Sequence, residues 1–133
     1  MVFKILTMIN YTAEPESNLI IITTDECVDL TTALGMVNDL RLQPDFHPNI
    51  NRLFDFTEAV IDLTMEDMKQ LVHFIRQYVA KTGDQFKLAM VLNDGIEDHF
   101  FALYQLLRDA PDNQTLRMFH DVDSARAWLM KST

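Results

Sequence analysis

One cysteine, three glycines and four prolines in 133 residues remove several classes of explanation. The lone thiol, Cys27, excludes an intramolecular disulfide and any cysteine-rich zinc site, and it fits a reducing compartment. So little glycine and proline leaves no linker, and neither an internal repeat nor a low-complexity tract is present. Positive charge is also scarce. Eleven Lys and Arg stand against twenty Asp and Glu, a net charge of −9, so a nucleic-acid backbone or an anionic membrane surface is repelled on average. The longest apolar runs, such as Leu19 to Ile22, fall far short of the roughly 20 residues that a membrane span requires. The opening MVFKILTMINYTAEP carries a lysine inside its apolar run and no small-residue cleavage site, so it reads as a strand and not as a signal peptide. A cytoplasmic protein is the expectation.

What is present is enough apolar material for a core: 48% of residues are hydrophobic and 23% charged, which fits one globular domain over residues 1–133. FKILTMI and NLIIITT read as two antiparallel strands joined by the polar loop NYTAEPESN. Leu30 to Leu42 predicts a helix with Leu30, Leu34, Val37 and Leu40 or Arg41 on one face, Asp29 or Thr31 as cap and Pro44 as stop. After DFHPNIN, RLFDF is a strand. Thr64 to about Thr82 predicts a second helix with Met68, Leu71, Val72, Ile75 and Val79 as its inner stripe, ended by Gly83. Phe86 to Leu92 is the near-continuous apolar run of a strand buried on both faces. A third helix is expected from Ile96 to Asp109, then a strand TLRMF, then a short helix VDSARAWLM with Val122, Ala125, Trp128 and Leu129 inward. Strands alternating with helices after an initial hairpin imply an α/β fold: a mixed sheet of about five strands packed with about four helices.

At RLFDF, KLAMVLND and MFHDVDSARAWL the chain resembles the SpoIIAA-like branch of the STAS superfamily, best known for bacterial anti-sigma-factor antagonists. Members carry a strand ending in Leu-Asp-aliphatic, a later Ala-Val-type strand, and a phenylalanine-acidic-x-x-x-Ala-x-x-Trp-Leu ending. The matching positions here are Leu53 to Phe56, Leu88 to Leu92, and Phe119 to Leu129. The resemblance implies a binding or regulatory role without catalysis or a cofactor, and the grouping of some relatives with SEC14-type domains implies an apolar or lipid-like ligand as the alternative. One departure stands out. Where phosphorylatable antagonists resemble one another in an Asp-Ser-Ser-Gly-type loop, this chain has Asp62, Leu63, Thr64, Met65 and Glu66, so Thr64 is the one hydroxyl there that phosphorylation could use.

Each candidate site has a bland reading beside it. Thr64 precedes Asp67 at near capping-box spacing, and Glu66 and Asp67 suit the positive end of a helix dipole, so Thr64 reads as a cap before it reads as a phosphorylation site. Asp55 and Glu58 supply two carboxylates but no environment that would set their pKa values apart for acid/base work. Asn93 and Asp94, before Gly95, follow a buried strand where open α/β sheets collect ligands, yet ordinary turn chemistry explains them, and a phosphate cradle would need more glycines and a lysine. His47, His73, His99 and His120 form no metal-ligand spacing with the nearby carboxylates. Neither a Ser-His-Asp order nor a nucleophile elbow is visible, and nothing marks Cys27 as reactive.

Two joint features remain. The acidic stretches 55–67, 93–98 and 120–123 all follow strands and open helices, so Asp55, Glu58, Asp62, Thr64, Asn93, Asp94 and Asp121 are expected to converge as an interaction end that selects a basic protein surface. Phe74 and Tyr78 in the second helix, with Phe101 and Tyr104 in the third, widen those helices' apolar faces beyond a minimal core. Such faces suit a homodimer contact or a small apolar ligand. A regulatory protein-interaction module is the leading expectation, an apolar-ligand carrier the second, and an acidic-site or metal-assisted hydrolase the third.

Overall fold

Apolar side chains on both sides of the central strands divide the molecule into layers. In this computed structural model, which describes residues 9–25, 27–82, 85–92 and 116–131, the strands are β1 (Ile9–Glu14), β2 (Leu19–Thr24), β3 (Cys27–Val28), β4 (Asn51–Phe56), β5 (Val60–Ile61), β6 (Leu88–Leu92) and β7 (Leu116–Phe119). The helices among the described residues are α1 (Leu30–Leu40), α2 (Met65–Thr82) and α3 (Val122–Met130). Five strands form one sheet in the order β1-β2-β4-β6-β7, with β1 antiparallel to β2 and every other pair parallel. The two-residue strands β3 and β5 pair in parallel as a separate ribbon. The expected mixed α/β sheet with a leading antiparallel pair is therefore what forms, and the helix expected over Ile96 to Asp109 lies outside the described residues.

Strand periodicity assigns the faces. Ile20, Ile22, Phe54, Phe56, Leu88 and Met90 point to one side, where they meet Ala33, Met36 and Leu40 of α1 and Met68, Leu71, Val72 and Ile75 of α2. Leu19, Leu53, Ala89 and Val91 point to the other and meet Ala125 and Leu129 of α3. All five residues of β6 are buried, as a parallel strand covered on both faces demands.

Helix starts follow local chemistry. The Asp29 carboxylate accepts from the Thr32 N–H at 2.8 Å and caps α1. At α2 the Thr64 hydroxyl accepts from the Asp67 N–H while the Asp67 carboxylate accepts from the Thr64 N–H, both at 3.0 Å, a reciprocal capping box with Asp in the usual Glu position. Asp121 caps α3 through the Ser124 N–H at 2.7 Å. The far end of α3 is held as firmly: Lys87 Nζ donates to the carbonyls of Trp128 and Lys131 at 3.2 and 2.6 Å, and Asn51 Nδ2 donates to the carbonyl of Leu129 at 3.3 Å. Arg126 adds an ion pair to Glu14 on β1 at 2.7 Å, and that guanidinium holds the Glu14 carboxyl below the usual carboxylate range.

Several sequence expectations need correction. The stretch NYTAEPESN is not all loop: residues 10–14 belong to β1, while residues 3–8 of the strand expected at FKILTMI lie outside the described residues. Its polar residues Asn10 and Thr12 are the wet side of an edge strand whose Ile9, Tyr11 and Ala13 face inward. The turn comes at Pro15–Ser17, closed by Asn18 in the left-handed region at φ 51°, which asparagine tolerates. α1 ends at Leu40, two residues before the expected Leu42, and β6 begins at Leu88 although Phe86 is buried. The buried stripe of α1 is Ala33, Met36 and Leu40; Leu30, Leu34 and Val37 flank it half-buried. Cys27 does not simply follow β2 but belongs to β3.

Candidate functional site

Parallel pairing fixes which loops share an end. Thr23, Asp55, Val91 and Phe119 stand in register across β2, β4, β6 and β7, so everything just beyond them emerges at the carboxyl end of the sheet. Beyond that line the chain supplies Asp25 and Asp29 after β2, Glu58, Asp62, Glu66 and Asp67 after β4, and Asp121 and Asp123 after β7. The predicted stretches 55–67 and 120–123 thus do lie at one end. Asn93 and Asp94 lie outside the described residues. Asp25 and Asp29 were missed, because their membership depends on β2 running parallel to β4, which is a matter of strand order.

The local bonds of these groups separate structural carboxylates from available ones. Asp55 turns back on its own loop, its Oδ1 accepting from the Thr57 N–H at 3.0 Å and the Thr57 hydroxyl at 2.7 Å, an Asx turn. Asp67 is committed to the capping box. Asp29 and Asp121 are caps, and the backbone N–H groups of Thr32 and Ser124 hold their carboxyls below the usual carboxylate range. Asp62 is tied through its backbone, its N–H donating to the Val28 carbonyl at 2.8 Å as a continuation of the β3–β5 ribbon. The side chains of Glu58 and Asp62 are exposed. Thr64 is exposed, but its hydroxyl is engaged by Asp67. Among the described residues no group of three or more His, Cys, Asp or Glu is placed to hold a metal ion.

On the helix side, Phe74 and Tyr78 are half-buried and packed against the main core, and Arg41 stacks over the Tyr78 ring at 5.0 Å. Any interface there must use what the core leaves of these rings. Phe101 and Tyr104 lie outside the described residues. An apolar cavity of about 20 Å³ lies between the sheet and both helices, lined in part by Met36, Phe54, Met68 and Met90 and bordered by Val28 and Ile61 of the small ribbon. That volume is of the order of one or two waters, far below a lipid-sized site.

Arg52 is a feature that pattern reading passed over. It occupies the central strand β4 between Ile20 and Leu88, on the face that also carries Phe54 and Phe56, and is only 3% exposed. Its guanidinium lies 3.4 Å from the Phe86 ring centroid and 5.0 Å from that of Phe46, and Nη2 donates to the Pro48 carbonyl at 3.3 Å. The signal was in the sequence: in RLFDF, positions 52, 54 and 56 share one side of a strand, so an arginine keeps company with two phenylalanines.

Neither a family model nor a curated protein matches the chain. Among solved structures, an uncharacterised protein of the DUF3478 family with a SpoIIAA-like fold, from Shewanella loihica PV-4, is similar along 97% of this chain and 99% of its own, with a TM-score of 0.53 and 18% identity. Among the described residues, no helix is long and apolar enough to cross a membrane. The sheet order, the leading antiparallel pair and this likeness give the chain a SpoIIAA-like α/β fold.

Proposed function

We propose that the protein is a non-enzymatic, regulatory protein-interaction module that presents the carboxyl end of its sheet to a basic surface on a partner. The observation that supports this reading is the register itself: two or three residues past the Thr23–Asp55–Phe119 line come Asp25, Glu58 and Asp121, so the loops after β2, β4 and β7 deliver carboxylates to one end of the sheet. Caps and Asx turns absorb part of this charge, and Glu58 and Asp62 remain as exposed groups able to meet lysine or arginine. Complementary charge of this kind sets partner choice and association rate more than raw affinity. The double reversal Glu58→Lys with Asp62→Lys tests it. Partner association should slow at least tenfold with folding stability unchanged, whereas undiminished association would contradict the proposal.

A second reading, a small apolar ligand between the sheet and its helices, is favoured by the Met-lined cavity, since methionine repacks readily around a guest. At about 20 Å³ the space admits such a ligand only if α1 and α2 part. Native mass spectrometry of freshly purified protein checks this reading: a co-purifying apolar species supports it, and the bare mass alone counts against it.

A further inference from the structure

We propose that the outer side of the β3–β5 ribbon receives an extended segment of a partner in which a basic, an apolar and a basic residue stand at alternate positions. This rests on the reading of the carboxyl end as the partner surface, and it names the kind of partner that fits there.

Alternation across the ribbon carries the argument. Ala59 and Leu63 are buried and Ile61 packs against the main core, whereas Glu58, Val60 and Asp62 are exposed. The same holds on β3, where Val28 is fully buried and Cys27 and Asp29 on either side of it are exposed. Cys27 stands in register with Val60, so two apolar side chains lie together on the outer side, with Glu58 and Asp62 before and after them along the chain. Val60 is 63% exposed. Water suits the two carboxylates but does not account for a valine between them, because threonine would serve the strand equally and would be hydrated.

The ribbon also has an edge to offer. Among the described residues, β5 pairs with β3 alone. The Asp62 N–H donates to the Val28 carbonyl, so alternation along the strand turns the N–H and carbonyl of Ile61 to the side away from β3. A third strand laid there would bond to Ile61 through its backbone. Its alternate side chains, about 6.6 Å apart as in any strand, would then stand beside Glu58, Val60 and Asp62. Opposite charges directly across, with an apolar pair between them, are combinations that stabilise adjacent strands. Asp25 and Asp29 add negative charge nearby, the latter while capping α1.

Backbone amide NMR titration with the peptide acetyl-Thr-Lys-Thr-Val-Thr-Lys-Thr-amide tests the proposal. The comparison probes are a peptide of the same composition ordered Lys-Lys-Thr-Thr-Thr-Thr-Val and one with Glu in place of both Lys. Expected is a saturable shift around Cys27 and over residues 57–64 at millimolar peptide or below, about tenfold weaker with the reordered peptide and absent with the acidic one. Val60→Ser, an exposed change that leaves every charge in place, should weaken the first peptide about threefold. Glu58→Gln with Asp62→Asn should weaken it about tenfold. No saturable shift to about 10 mM peptide, equal binding of the reordered peptide, or unchanged affinity in Val60→Ser overturns the proposal. The broader reading fails separately, through undiminished association of the native partner with the Glu58→Lys and Asp62→Lys protein.

Discussion

Gly35 and Thr64 carry local consequences of opposite sign. Gly35 lies within α1 and a Cβ there would meet nothing within 4 Å, so Gly35→Ala removes chain entropy from the unfolded state at no steric cost. Urea unfolding should show a gain of about 0.5–1 kcal/mol. Thr64→Ala removes one half of the α2 capping box and should lose about 1 kcal/mol in the same measurement. The bond that makes Thr64 a cap also weighs against its phosphorylation, because the Asp67 N–H occupies the hydroxyl and two further carboxylates, Asp62 and Glu66, lie within two residues. Tyr11 gives a pH-dependent outcome. Its buried hydroxyl has no hydrogen-bond partner among the described residues, and burial, then the Asp39 charge, push its pKa from 10 up to about 12. A raised pKa favours the protonated phenol in the folded state, so its contribution is intact below pH 10 and is lost as pH rises towards 12. Stability of the wild-type protein should therefore fall more steeply than that of Tyr11→Phe between those values, and parallel curves would refute the assignment.

At the scale of elements, legibility tracked length and periodicity. α2 was readable because Met68, Leu71, Val72 and Ile75 repeat at helical spacing behind Thr64, and α3 because Asp121 precedes a nine-residue segment with Ala125 and Leu129 on one side. The ribbon of β3 and β5 was illegible, since two-residue strands carry no period and exist only because Cys27 and Val60 are brought together by the larger fold. β1 was misplaced for a different reason: an edge strand tolerates polar residues on its wet side, and there the alternation of Asn10 and Thr12 with Ile9 and Tyr11 resembles a loop. The inner face of α1 was one residue out because its apolar arc is broad, so Leu30 and Leu34 flank the stripe that meets the sheet. What holds α3 could not be read at all, because Lys87 and Asn51 lie far from it in sequence. Their removal has a local signature. In Lys87→Met, amide exchange of the last turn of α3 should quicken at least tenfold while that of β6 changes far less; uniform acceleration would show that the lysine supports the whole fold instead.

Across the whole molecule, the expectation that the acidic loops following the strands share one end came from the alternation of strands and helices, and the strand order that decides it was not legible. Convergence follows from the parallel order β2-β4-β6-β7, and that order added Asp25 and Asp29 to the edge where Glu58, Asp62 and Asp121 already stood. It also placed Arg52 under Phe86, a pairing between residues 34 positions apart that no local pattern encodes. The result is a SpoIIAA-like sheet with a carboxylate-rich end. The central claim is that the acidic end is the partner surface. Hydrogen-exchange footprinting of the complex with a partner purified from the native host addresses it most directly: the account predicts protection concentrated over residues 57–64 and 120–124, and protection confined to the outer face of α2, with those loops unchanged, would contradict it.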